Sequence, residues 1–145
     1  MNSKNILHNN ADVFLFDEIW LADLKKLASE HPLKRSRICL HESLDAVVQE
    51  MIIVAHQTAY IEPHKHPIGK SESYHVLEGR LLVKIFEDAG RCTKSMILDQ
   101  NSVCKMYRIK GNVWHQPIPL SEWVVYHEVF TGPFSKDEDV LYAKW

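Results

Sequence analysis

At 145 residues the chain has the length of one domain, and a chain of that size buries roughly 70% of its unfolded surface, enough for its own core. It is 46% hydrophobic and 25% charged, as soluble globular proteins are, and a net charge of −2 excludes a general nucleic-acid binder, which needs excess basic residues to neutralise phosphates. No apolar run is long enough to span a bilayer and MNSKNILHNNADVF has no signal-peptide core, so the expectation is a cytoplasmic protein with no membrane partner.

In chain order, Asp12–Phe16 (DVFLF) reads as a short strand or extended arm. In DEIWLADLKKLASEHP, Trp20, Leu24 and Leu27 recur at helical spacing, as do Leu21, Leu24 and Ala28. Asp17 stands where an N-cap belongs and Pro32 lies just past the end, so one packed helix is predicted. Strand signals follow. AVVQEMIIVA is rich in β-branched residues, and YHVLEGRLLVKIFED holds two apolar runs split at Glu78-Gly79. EDAGR predicts a hairpin loop before CTKSMIL. Next come SVCKMYRI, a turn at KGN, VWHQPIPL, a turn at Ser121-Glu122, and WVVYHEVF. TGPFSKDEDVLYAKW is polar and marked by Pro and Gly before a short apolar end.

About eight short strands with close turns form the pattern of an all-β sandwich or barrel. With no repeat and no low-complexity linker, one domain is expected over residues 1–145. Residues 1–32 form an N-terminal arm and helix, and residues 33–145 a β-barrel. Cys39, Cys92 and Cys104 are odd in number and form no CxxC, which suits free thiols in a reducing compartment.

The informative stretch is YIEPHKHPIGKSESYHVLEG, Tyr60 to Gly79. His64 and His66 are two apart, so on a strand both point to one face. Glu72 follows a segment containing Pro67 and Gly69 that can bend the chain back, and His115 comes just after the turn at Gly111-Asn112. These four make a mixed nitrogen and oxygen donor set suited to Zn, Fe, Mn, Ni or Co, without choosing among them. If only these four bind, an octahedral ion keeps two positions open for water or substrate. An HxH pair alone is a weak signal, because exposed loops carry histidines by chance.

The order of the whole stretch resembles the first cupin motif: two histidines separated by one residue, a spacer, a glutamate, then a glycine. Here it runs His64-x-His66, a five-residue spacer, Glu72, and Gly79. The spacer is longer than the usual three or four, which places a bulge or wider loop at Pro67-Ile68-Gly69. KGNVWH stands for the second motif, PxGxxH. Lys110 replaces the proline and Asn112 the glycine, and His115 falls on the ligand position. Asn is the next best residue at positive φ, so the turn is kept.

RSRICLHESLDAVVQEMIIV, YIEPHKHP, KSESYHVLEG and GPF…LYAKW resemble the WbuC-type cupin-fold metalloproteins of bacterial O-antigen and surface-polysaccharide gene clusters. The resemblance implies a cupin (double-stranded β-helix, jelly-roll) barrel, one divalent metal, a link to lipopolysaccharide biosynthesis and a homodimer paired through sheets and exchanged N-terminal segments. It implies no defined reaction.

Further candidates come from strand parity. If RSRICLH is a strand, Arg35, Arg37, Cys39 and His41 share one face, and two arginines suit a phosphate or carboxylate; a face turned to solvent explains them equally well. Parity also sets Tyr60 beside His64 and His66, as a substrate contact, an acid or a rim aromatic. Lys70 can pair with Glu72 or with an anionic substrate, or stay solvated. His75 has the opposite parity to Glu72 and is not expected to be a ligand. Trp114 and Trp123 are expected in the core or an interface.

Three functions fit. One is a metal-dependent enzyme, such as an isomerase or epimerase, on a sugar or nucleotide-sugar, with Glu72 or Tyr60 moving a proton and Arg35, Arg37, His41 and Lys70 holding substrate. The others are an iron-dependent oxygenase of a small molecule and a non-catalytic sugar-binding or sensing module.

Overall fold

The computed structural model describes residues 4–145. In chain order its elements are β1 (Ile6–His8), α1 (Glu18–Glu30), β2 (Arg35–Cys39), β3 (Val48–His56), β4 (His64–Lys65), β5 (Ser71–Glu78), β6 (Arg80–Phe86), β7 (Cys92–Asp99), β8 (Met106–Lys110), β9 (Trp114–Pro119), β10 (Trp123–Thr131), α2 (Lys136–Asp139) and β11 (Leu141–Tyr142).

The Asp17 carboxylate accepts hydrogen bonds from the N–H groups of Ile19 (3.0 Å) and Trp20 (3.1 Å), and α1 starts there as its N-cap predicts. Leu24 and Ala28 face inward and are fully buried. Leu24 packs with Ile38, Ile52, Val54 and Val125, and Trp20, Leu21, Phe14 and Phe16 close over that cluster. The helix therefore covers one face of β2, β3 and β10.

The strands form two sheets, ordered β1-β2-β3-β10-β5-β8 and β11-β4-β9-β6-β7. Between them lies a core of Met51, Ile53, Tyr74, Val76, Leu81, Val83, Leu98, Tyr107, Val124 and Tyr126. The alternation in each sequence run decides which residues enter it. On β10, Val124 and Tyr126 point inward, while Val125 points out to α1.

Three features differ from the sequence expectation. Of the two readings of residues 12–16, the strand is not formed; the segment is a non-regular arm whose Phe14 and Phe16 find their partners in the helix cluster, and the strand of this region is Ile6–His8, which pairs parallel with β2. The two-residue strands β4 and β11 are too short to give an alternation signal, and they pair with each other. The polar segment after Pro133 contains the short helix α2.

One turn matters for the site. Asn112 takes φ 65°, and its N–H donates to His66 O at 2.6 Å. At the neighbouring Gly111 an added Cβ would collide with the Pro67 carbonyl oxygen. Gly111→Ala is therefore expected to cost about 1–3 kcal/mol by overpacking. Denaturant unfolding checks this, and an unchanged midpoint would show that the two turns are not tightly apposed.

Candidate metal centre

Three strands and one loop build the site. His64 on β4 stands directly opposite His115 on β9, with ring centroids 4.3 Å apart. His66 follows β4 and turns its ring to the same side, 5.2 Å from His64 and 5.3 Å from His115. The chain then turns at Ile68-Gly69, with Gly69 at φ 92°, and enters β5 on the other sheet. The five-residue spacer is thus the crossing between sheets, and it brings Glu72 to the histidines.

All four side chains are buried, His115 completely. One donor atom from each lies within 4.8 Å of all the others. Glu72 Oε1 is 3.3 Å from His66 Nε2, and its Oε2 is 3.1 Å from His115 Nε2. The Tyr107 hydroxyl donates to Oε2 at 2.9 Å and fixes the carboxylate from behind.

The histidines are oriented by the backbone. The Nδ1 atoms of His64, His66 and His115 lie 2.8, 2.7 and 2.9 Å from the carbonyl oxygens of Glu62, Asp139 and Val113. A carbonyl only accepts, so each Nδ1 carries the proton and donates it. The Nε2 atoms are left to face one another, and anchoring of this kind holds metal-binding imidazoles. His115 Nε2 is buried without a hydrogen-bond partner, despite its approach to Glu72. A buried lone pair of that kind costs free energy unless something binds it, and the donor set fits a divalent ion.

Electrostatics agree. Burial first, and then the neighbouring His115, push His64 down to about 4, so it is neutral at physiological pH. Burial pulls His66 down too, but the hydrogen bond and charge of Glu72 outweigh it and raise His66 above its ordinary value. Burial would raise Glu72; the closeness of His115, and the hydrogen bond and charge of His66, overcome that and hold it well below the usual carboxylate range. A proton on His66 must leave before a metal enters, so metal affinity is expected to fall as pH drops through the raised His66 value. The expected loss is up to about tenfold per pH unit. Zinc titrations from pH 8 to pH 6 check this, and a flat profile would contradict it.

The remaining expected site residues do not join the four donors. Tyr60 is 68% exposed, and residues 57–63 form no strand, so the parity that set it beside His64 has no strand to act through. Lys70 Nζ donates to the carbonyl oxygens of Thr131 and Pro133 and lies 3.6 Å from Asp139 Oδ1. It ties down the segment whose Asp139 carbonyl orients His66. His41 is buried, and its Nδ1 accepts the Glu50 N–H at 3.0 Å. Arg35 and Arg37 do share a face with Cys39, and that face looks inward: they lie opposite Ala55, Ile53 and Met51. His75 is exposed, and Trp123 packs by α1 while Trp114 stacks edge-on against Trp145.

Sequence reasoning passed over Tyr107, Asp139 and Glu128. Only Glu128 left a local signal, as a carboxylate at an inward position of the Val124, Tyr126, Phe130 alternation.

Several solved structures share this fold. An oxalate oxidase in complex with glycolate aligns at TM-score 0.59 and 15% identity, over 79% of this chain and 57% of its own. The capsular polysaccharide assembling protein CapF from Staphylococcus aureus aligns at 0.63 and 13%, over 76% and 30%. KdgF from Halomonas sp. aligns at 0.55 and 16%, over 74% and 87%. The chain thus spans little more than half of the oxidase and under a third of CapF. These are cupin-fold proteins, and the two-sheet barrel with its outer helix is the cupin fold. No curated protein matches the chain in sequence. No helix among the described residues is long and apolar enough to cross a membrane. One family model matches residues 16–98, a span that includes α1, His64, His66 and Glu72 and stops before His115; covering more than half of the sequence, it shows that the chain belongs to the family described as Domain of unknown function (DUF6016).

Proposed function

We propose that the protein holds one divalent metal through His64, His66, Glu72 and His115 and uses it on a small molecule of the carbohydrate class, a sugar or nucleotide-sugar. The observation that carries this reading is the convergence of four buried donor atoms, with three imidazoles locked by backbone carbonyls. A metal bound there would polarise a carbonyl or hydroxyl oxygen of the substrate. Isomerisation or epimerisation is the reaction class we assign. Arg35 and Arg37, on the inward face, are the proposed substrate contacts and Glu72 the proposed proton carrier; Tyr60, exposed, and His41 and Lys70, engaged with the backbone, are not assigned a role in it.

The sugar class is supported by the name of CapF, a capsular polysaccharide assembling protein, and by the resemblance to WbuC-type cupins. The same resemblance supports a cytoplasmic homodimer acting in surface-polysaccharide biosynthesis. The test is proton NMR of metal-reconstituted protein with a panel of nucleotide-sugars and sugar phosphates. Conversion that His66→Ala abolishes supports the proposal. Saturable binding without conversion overturns the enzymatic reading in favour of a binding module, and oxygen uptake with ferrous iron overturns it in favour of an oxygenase.

A further inference from the structure

The metal ligands use only part of the inward surface of the barrel. Another part carries charge that the metal centre does not use. Across β2, β3, β10, β5 and β8 one row runs Cys39, Met51, Glu128, Tyr74, Tyr107, and the adjacent row starts Arg37, Ile53, Tyr126. Met51, Ile53, Tyr74, Tyr107 and Tyr126 are core residues, so Arg37 and Glu128 share the core-facing side with them. The opposite side of these strands is closed by α1, where Ile38 and Val125 meet Leu24 and the Ser36 hydroxyl donates to Leu24 O at 2.7 Å. Two residues beyond Glu128, Phe130 stands opposite Glu72 and packs on His66 at 4.7 Å between ring centroids. The charged wall therefore adjoins the metal centre inside one barrel.

Burial pushes the Cys39 thiol up in pKa, and the Arg37 guanidinium that lies against it pulls it down. Among the described residues, Arg35, Arg37 and Glu128 form no ion pair. Arg37 Nε is buried and has no hydrogen-bond partner. Both arginines are partly exposed. A guanidinium held this way presents its planar donor fork to whatever enters, and the fork matches a carboxylate or phosphate. Burial, and then the charge of Glu72, push Glu128 up to about 8 against the pull of Arg37, His66 and Arg35.

We propose that Arg35 and Arg37 form an anion subsite on the inward face of the barrel that takes the carboxylate or phosphate arm of a ligand whose other end faces His64, His66, Glu72 and His115. The subsite rests on the proposed function only for that second end. It narrows the substrate class to acidic small molecules, such as sugar phosphates, nucleotide-sugars or sugar acids.

The test is calorimetric titration of metal-loaded protein at pH 7 with two probes, inorganic phosphate and malonate; the tighter binder names the anion type. Arg37→Met is expected to weaken the better probe at least about tenfold, the scale of a lost charge-assisted hydrogen bond, while metal content stays at the parent level. Arg37→Lys, which keeps the charge, guards against a folding artefact and is expected to bind more tightly than Arg37→Met. His115→Ala separates the two readings: it loses metal and keeps anion binding. Equal affinity in the parent and Arg37→Met would overturn the subsite, as would anion binding lost in His115→Ala but kept in Arg37→Met. The metal centre is judged by metal content, which Arg37→Met and Arg37→Lys leave at the parent level, so the two readings fail separately.

Discussion

Glu72→Gln is expected to lower divalent-metal affinity by about 100-fold or more, beyond the range seen when only an outer partner of a ligand is lost. Glutamine keeps the volume and can still accept from Tyr107, so the chain is expected to fold and its circular dichroism spectrum to be unchanged. What disappears is the charge that bridges His66 and His115 from 3.3 and 3.1 Å. A second readout follows from the same change. Glu72 is what raises His66 against its own burial, so the His66 pKa is expected to fall in the variant when followed by NMR. Affinity within threefold of the parent would mean that Glu72 is not a ligand.

Leu24→Ala is expected to cost about 2–5 kcal/mol, the range for emptying a fully buried leucine site. For a chain of this size that lowers the thermal midpoint by roughly 5–20 °C. Leu24 is completely buried under α1 and fills the seam among Ile38, Ile52, Val54 and Val125. Those residues lie on the helix side of their strands, away from the inward face that carries the site. The folded fraction is therefore expected to bind metal as the parent does. Calorimetry and metal titration of the same sample check both halves, and a small shift in midpoint would mean that the helix is only loosely docked.

The two residues illustrate what the sequence made legible. The Trp20, Leu24, Ala28 stripe and the Asp17 cap are local signals, and the helix forms where they place it. The strand runs from AVVQEMIIVA to WVVYHEVF also carry their alternation locally. The metal set was legible because its order along the chain matches a motif, and the structure brings those four residues together. Asn112 at positive φ shows how the departure from the motif is accommodated.

What was not legible depends on contacts between distant segments. Nothing near Tyr107 announces that its hydroxyl will hold Glu72, 35 residues away in the chain. Nothing near Asp139 announces that its carbonyl will orient His66, 73 residues away. Strand parity placed Arg35 and Arg37 on one face but could not say which face is inside, because that depends on where α1 docks. Parity relates Tyr60 to His64 only along an unbroken strand, and the turn after His56 and the non-strand stretch through Pro63 leave none.

The most direct measurement is elemental analysis of the chain purified without a histidine tag, beside the His64→Ala/His115→Ala double variant. The account predicts close to one divalent metal per chain in the parent and none in the variant. Equal metal in both, or none in either after reconstitution with iron, zinc, manganese and nickel, would contradict it.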